Sequence, residues 1–529
     1  MDRKRSHDSG QGIALQHENK KELNVDDFLH LVGDYGKFQK TLNVIFGLME
    51  IPYIFVIYIL TFTAFEPEWK CIENSTVCSL NGTFTSENNF RCHIPRSEWE
   101  YLQPKEYSIV VEYDLSCGGE WLISLSVSII FVGALFGAVI LTWVSDNFGR
   151  KKLMFISYTA GTIANFASCL MPNMSLFIMF RFFSGFFMPG ANVFVMIIET
   201  VGEKHRAFAG NLIWLFYAVA LCLLPLKAYF ISSWKLLFVA GSLPYLVFVA
   251  TYQFVPESVR WLRLKSRTKD ALAIFQRMAK WNGRVLDPTV TLSPVSKEKE
   301  ITNPLDVFRP KQMAMTSIVF IFCFYTNSLV YFGLTMTAGD LGSGSLHLNF
   351  VLMSLVEFPA ALLATYCCDK FGRKKSSTFP LALSGLLVVT VSLLPITTQA
   401  FRMVRTITGI FAKLFITMSY DCIATLVVEA YPTNIRSEAL GIMGVAATIG
   451  GASAPWVAKG LSTLVAELPF YVMGTLGVVA GVSCYLLPET KGTLLRESKI
   501  DFQLVPTHPP DNGDTEARQR EKSHFESTA

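Results

Sequence analysis

Twelve apolar runs of about twenty residues alternate with polar stretches along most of the chain. A run of that length crosses a bilayer as a helix. The runs are continuous rather than alternating, which argues against β-barrel strands. They fall at roughly 41–65, 121–143, 153–171, 176–199, 207–230 and 236–255, then at roughly 313–335, 346–368, 377–397, 403–428, 438–458 and 468–487. The expected fold is an all-α membrane protein with twelve transmembrane helices in two six-helix halves, 41–255 and 313–488. Between the spans lie two long polar segments, a loop at 66–120 after the first span and an inter-half segment at 256–312. The latter includes an amphipathic helix, Thr268 to Trp281, that reads as lying on the membrane. Residues 1–40 read as a solvated tail with a short surface helix between Val25 and Phe38, and 489–529 as a disordered tail.

The two halves copy one another. Asp146-Asn-Phe-Gly-Arg-Lys-Lys152 returns as Asp369-Lys-Phe-Gly-Arg-Lys-Lys375, each between two apolar runs, with the Gly supplying a tight turn. Arg181-x-x-x-Gly185 returns as Arg405-x-x-x-Gly409, Glu199…Arg206 as Glu429…Arg436, and Pro256-Glu-Ser as Pro488-Glu-Thr. Four matches in one order, all spaced by close to 230 residues, mark a duplicated design.

Composition agrees with that plan. Of 529 residues 51% are hydrophobic and only 17% charged, whereas soluble domains carry about 25% charged residues. The net charge of +4 reflects basic loops, and no nucleic-acid partner is expected. Four of the eleven cysteines, Cys71, Cys78, Cys92 and Cys117, lie in the 66–120 loop beside the sequons at Asn74 and Asn81. That combination indicates an oxidised, glycosylated, extracellular loop with two disulfides, for which three pairings are open. A third sequon, at Asn173, sits too close to the bilayer to be a good acceptor. Lys and Arg concentrate in the hairpins, the inter-half segment and both ends, so both termini are expected in the cytoplasm. The polar start leaves the first span to act as the insertion signal. No catalytic constellation or Gly-rich phosphate loop is present, which excludes an enzyme and ATP-driven transport; no metal site or cofactor is expected.

Four features together carry a family resemblance: the cysteine-rich loop, Tyr113-Asp-Leu-Ser-Cys117, Pro256-Glu-Ser-Val-Arg-Trp-Leu262 and Tyr431-Pro-Thr-Asn-Ile-Arg436. Through them the chain resembles the major facilitator superfamily, and within it the organic cation and carnitine transporters of the organic ion transporter family, over about residues 25 to 492. The resemblance implies the major facilitator fold, alternating access and a midplane cavity between the halves. It implies a plasma-membrane secondary transporter of small organic cations or carnitine-like zwitterions. Its partners are a small-molecule substrate and the lipid bilayer; coupling to Na⁺ or H⁺ and the oligomeric state stay open. An organic anion or neutral metabolite carrier is the alternative within transport, and a transporter-like receptor or scaffold the alternative outside it.

Charges inside the spans mark the candidate site, because a charge at the bilayer centre is costly. Glu357, in Leu355-Val-Glu-Phe-Pro359, matches the Val-Glu-x-Pro pattern that the resemblance assigns to cation binding. Its plain alternative is a structural partner for a basic residue. Asp421 and Lys413 share a helix stripe with Thr417, and their plain alternative is a partly compensated pair in which Lys413 holds an acid across the bundle. Glu50, beside Pro52, is a second cation ligand, a proton site or a residue of the outer mouth. Tyr331, Phe324, Tyr325 and Tyr217 are candidate cation–π walls. Thr448 stands where the resemblance predicts an acid or an arginine, which removes a strong determinant. A second set, Asp146, Arg150, Glu199, Arg206 and Glu257 with counterparts Asp369, Arg373, Glu429, Arg436 and Glu489, is expected to form a cytoplasmic latch of ion pairs in the outward-open state.

Overall fold

In a computed structural model of the chain, hydropathy and helix caps together set the element boundaries. The structure describes residues 22–492, apart from 74, 76, 79–82, 85–88, 189, 288–289, 294–306, 310, 343 and 433–434. The sequon residues Asn74 and Asn81 and the tail beyond 492 therefore lie outside the described residues. The first half comprises α1 (Val25–Val32), α2 (Lys37–Tyr58), α3 (Leu60–Thr63), α4 (Ile109–Glu112), α5 (Trp121–Phe148), α6 (Arg150–Ser168), α7 (Met174–Phe186), α8 (Gly190–Thr200), α9 (Arg206–Phe230), α10 (Trp234–Ser242) and α11 (Pro244–Val249). Two inter-half helices follow, α12 (Val259–Leu264) and α13 (Thr268–Asn282). The second half comprises α14 (Lys311–Met336), α15 (Leu346–Leu355), α16 (Glu357–Phe371), α17 (Arg373–Leu393), α18 (Gln399–Ala430), α19 (Arg436–Pro455) and α20 (Leu468–Cys484).

Nine helices among the described residues are long and apolar enough to cross a membrane. The other three expected spans are α6, the broken pair α7–α8, and α20, of which α7 and α20 are shorter apolar helices. The fold is the expected helical bundle of two six-helix halves. Pro359 breaks one span: it has no N–H to bond Leu355, so α15 ends there and Glu357 opens α16.

The halves meet at the end that carries the 66–120 loop. Along α5, Ser124 donates to the Pro455 carbonyl at 3.3 Å, Ser128 donates to the Ala452 carbonyl, and the Phe131 ring covers Gly451. The rings of Tyr58, Phe131, Phe332, Phe350 and Phe62 interlock across the same seam at 4.9–5.9 Å. At the Gly-Arg-Lys-Lys end the halves part. A Cβ built on Gly441 or Gly444 of α19 would meet nothing within 4 Å. The hydrogen bonds and ring contacts that join the halves thus gather toward the loop end, while the ion pairs at the hairpin end stay within each half.

The loop has its own small core. Strands β2 (Trp69–Cys71) and β3 (Trp99–Tyr101) pair antiparallel and pack Trp69, Trp99 and Cys78 together. The disulfides are Cys71–Cys78 and Cys92–Cys117. Arg91 is fully buried there, paired with Glu66, and burial lowers its pKa from the ordinary guanidinium value. Asn173 caps α7 by accepting from Leu176 N at 2.9 Å.

The expected solvated N-terminal stretch is instead docked. Val25, Phe28, Leu29 and Val32 of α1 are buried, with Phe28 stacked on Phe275 of α13 at 4.8 Å. Strands β1 (Glu22–Leu23) and β4 (Thr291–Leu292) pair parallel beside them. The amphipathic faces of α1 and α13 cover each other, so neither needs the membrane to bury its apolar side.

Candidate substrate site

Between the halves, five side chains from five helices form one connected polar cluster. Tyr331 of α14 donates its hydroxyl to Glu357 Oε1, the first residue of α16. The Tyr331 hydroxyl also reaches Tyr217 of α9 at 3.3 Å, and Tyr217 bonds Tyr58 of α2 at 2.9 Å. Lys413 of α18 completes the set: its Nζ lies 3.4 Å from Glu357 Oε1 and 2.8 Å from the Thr335 hydroxyl. Tyr217 and Tyr58 belong to the first half; Tyr331, Glu357 and Lys413 belong to the second. The chain of hydroxyls therefore bridges the seam that must open and close. Glu357 is 8% and Lys413 1% exposed, so water screens this pair little.

Three sequence candidates, Glu357, Tyr331 and Tyr217, meet directly, and Lys413 joins them as the basic partner. Asp421 lies two turns further along α18, partly buried, and among the described residues its carboxylate makes no hydrogen bond or ion pair. Phe324 packs edge-on against Tyr420 beside it, at 5.8 Å. Tyr325 bonds Ser453 of α19 at 3.2 Å, and Thr448 bonds back to the Gly444 carbonyl at 2.8 Å. Glu50 is placed elsewhere: it is buried inside the first half and accepts from the Tyr158 hydroxyl at 2.6 Å. Tyr58, Thr335 and Tyr158 were missed by sequence reasoning.

The hairpin-end charges form two matching clusters. In the first half Arg150 pairs with Glu199, and Asp146 lies 3.9 Å from Arg150. Glu257 accepts from Lys151 N at 2.9 Å, and Ser258 donates to Glu199. In the second half Arg373 pairs with Glu429 at 3.0 Å and lies 3.7 Å from Asp369. Glu489 accepts from Arg373 N at 2.9 Å, and Thr490 donates to Glu429 at 2.6 Å. Glu257 and Glu489 thus satisfy helix N-terminal amides that would otherwise be orphaned. Each cluster closes within its own half, so in this state the pairs brace helix ends and do not join the halves.

Arg206 and Arg436 lie outside these two carboxylate clusters in this state. Each donates instead to a backbone carbonyl five residues back, Val201 and Tyr431, both at 3.3 Å. Arg206 also pairs with Asp26 of α1, which Arg260 shares. The docked α1 supplies this acid, so the partner comes from the tail rather than from the repeat.

A family model described as "Sugar (and other) transporter" matches residues 39–502. Solute carrier family 22 member 3 of Rattus norvegicus is 34% identical over 412 residues, covering 77% of this chain and 74% of the relative. Solute carrier family 22 member 2 of Homo sapiens is 28% identical, covering 90% of this chain and 94% of the relative. Organic cation/carnitine transporter 4 of Arabidopsis thaliana is 29% identical, covering 90% and 91%. Among solved structures, the inward-open xylose transporter XylE from E. coli superposes with a TM-score of 0.61 at 15% identity, over 86% of this chain and 98% of XylE. That likeness shows the fold.

Proposed function

The chain belongs to the sugar (and other) transporter family and, within it, to the solute carrier 22 relatives, and from that premise we propose that it carries small organic cations or zwitterions across the plasma membrane. The observation that supports this reading most is the Glu357 carboxylate, buried at the seam and joined to hydroxyls of both halves. An acid so placed offers a cationic group a partner that changes surroundings as the halves rock. Aromatic faces at Tyr331 and Tyr58 suit an alkylated ammonium. The relatives named above are described as carriers or transporters, and the site holds no group arranged for bond breaking.

With the disulfide-bonded loop outside and the hairpins and both termini in the cytoplasm, this state is the inward-open one. The hairpin clusters then act at the cytoplasmic gate, holding each half rigid while the seam moves. A membrane potential contributes about 2.3 kcal/mol per charge per 100 mV to uptake of a monovalent cation.

The test is uptake of labelled tetraethylammonium and carnitine in voltage-clamped cells expressing wild type, Glu357→Gln or Asp421→Asn. Saturable uptake by wild type, reduced at least about tenfold in surface-expressed E357Q, is the expected result. Normal uptake in E357Q removes the site; no uptake of either compound by wild type removes the substrate class.

A further inference from the structure

The cluster at the seam already contains a cation of its own. Lys413 Nζ lies 3.4 Å from the Glu357 carboxylate, and it sits 3.0 Å from the centroid of the Tyr331 ring. A carboxylate and an aromatic face are what an organic ammonium seeks in a binding site. Resting on the reading of Glu357 as the cation-binding acid, we propose that Lys413 is a tethered stand-in for the substrate's cationic group. A substrate gains Glu357 only by displacing it, and a substrate that also brings a carboxylate to the freed lysine is preferred over a plain cation.

What each substrate leaves behind sets the preference. Once displaced by a plain cation, the Lys413 ammonium keeps only the Thr335 hydroxyl at 2.8 Å and the Tyr331 carbonyl at 3.4 Å. Asp421 stands eight residues along the same helix, about 12 Å away by helical rise, and makes no ion pair with Lys413, whose carboxylate partner is Glu357. A buried charge stripped of its partner is strongly unfavourable. A zwitterion avoids this. Its ammonium replaces Lys413 on Glu357 and Tyr331, and its carboxylate pairs with Lys413, so two pairs stand where one stood. The lysine thus acts on selectivity by competing with one part of the ligand and receiving another. A lysine that served only to hold α18 against α14 would affect both ligands alike.

The deciding comparison uses carnitine and carnitine methyl ester, which share the trimethylammonium group and differ in whether the carboxylate is free. Binding of each is measured to the full chain in lipid nanodiscs, as wild type, Lys413→Met, Lys413→Arg and Glu357→Gln. Wild type should prefer carnitine by at least about tenfold. K413M should bind the ester more tightly than wild type does and shift the ratio toward it by about tenfold or more. K413R should keep the wild-type preference, and E357Q should weaken both ligands. An ester bound as tightly as carnitine by wild type overturns the inference, and that arm decides even where K413M does not fold. Binding of both compounds with an unchanged ratio in folded K413M overturns the tethered cation alone. Binding of neither by wild type overturns the proposed substrate class with it.

Discussion

The seam at the loop end makes the alternating-access cycle open to a direct perturbation, Gly451→Val. Gly451 of α19 lies against Phe131 of α5, and a Cβ built there would stand 2.6 Å from Phe131 Cε1 and 2.9 Å from Cδ1. Something must yield. The Phe131 ring is buried and packs edge-on against Phe332 at 4.9 Å, so it cannot swing away without disturbing the aromatic seam. Overpacking of this kind costs about 1–3 kcal/mol. The penalty falls on the state in which α5 and α19 touch here; a state with the loop end parted escapes it. The equilibrium should therefore move roughly 5- to 150-fold away from this state. Spin labels at Trp121 and Leu464, exposed residues at the loop end of opposite halves, report the separation by pulsed electron resonance. In G451V the long-distance population should grow, and maleimide labelling of a cysteine placed at Gly444 should slow. A folded G451V with an unchanged distance distribution and unchanged labelling would refute the assignment of Gly451 to a contact that breaks during transport.

Two further perturbations test the charge plan. Glu467→Gln strips the bidentate partner, at 2.8 and 2.9 Å, from Arg405, whose guanidinium is buried; because Glu467 itself is partly exposed, the loss should be about 1–3 kcal/mol, visible as a lower melting temperature. Asp26→Asn releases Arg206 and Arg260 from half-exposed pairs, so thermal stability should fall by under about 1 kcal/mol per pair and the difference should shrink in high salt; a drop of several kcal/mol would show that α1 depends on these pairs rather than on Phe28, Leu29 and Val32.

The sequence made the bundle legible because bilayer length and repeated caps leave few alternatives. Glu257 and Glu489 sit in matching Pro-Glu motifs and do matching work on the amides after Gly149 and Gly372. Glu357 was legible because an acid inside an apolar run needs a reason. That it could pair with a base, and Lys413 with an acid across the bundle, was legible too; that the two pair with each other was not, because Lys413 lies 56 residues later (413 − 357) on another span and only packing brings them together. Tyr58 was hidden for a similar reason, since an aromatic residue in an apolar span carries no mark of which face meets the seam. Asp26 was read as part of a solvated tail because amphipathicity alone does not say whether water, lipid or another helix covers the apolar face; here α13 does.

The disagreements between the two copies say more about chemistry than the agreements do. The shared Arg-x-x-x-Gly motif places a buried arginine in each half, yet the partners differ. Arg405 has Glu467, whereas Arg181 donates to Asn165 Oδ1 at 3.2 Å and the Val56 carbonyl at 2.8 Å. Beyond the motif the copies diverge further. The stretch from Trp121 to Val144 carries no charged residue, although its second-half counterpart carries Glu357. None falls between Arg181 and Glu199, although Lys413 and Asp421 fall between Arg405 and Glu429. Packing alone does not require these three charges, since the first half folds on the same plan without them. Their confinement to one half, on helices that face the seam, fits a carrier in which one half grips the ligand's charge and the other closes over it with tyrosine hydroxyls.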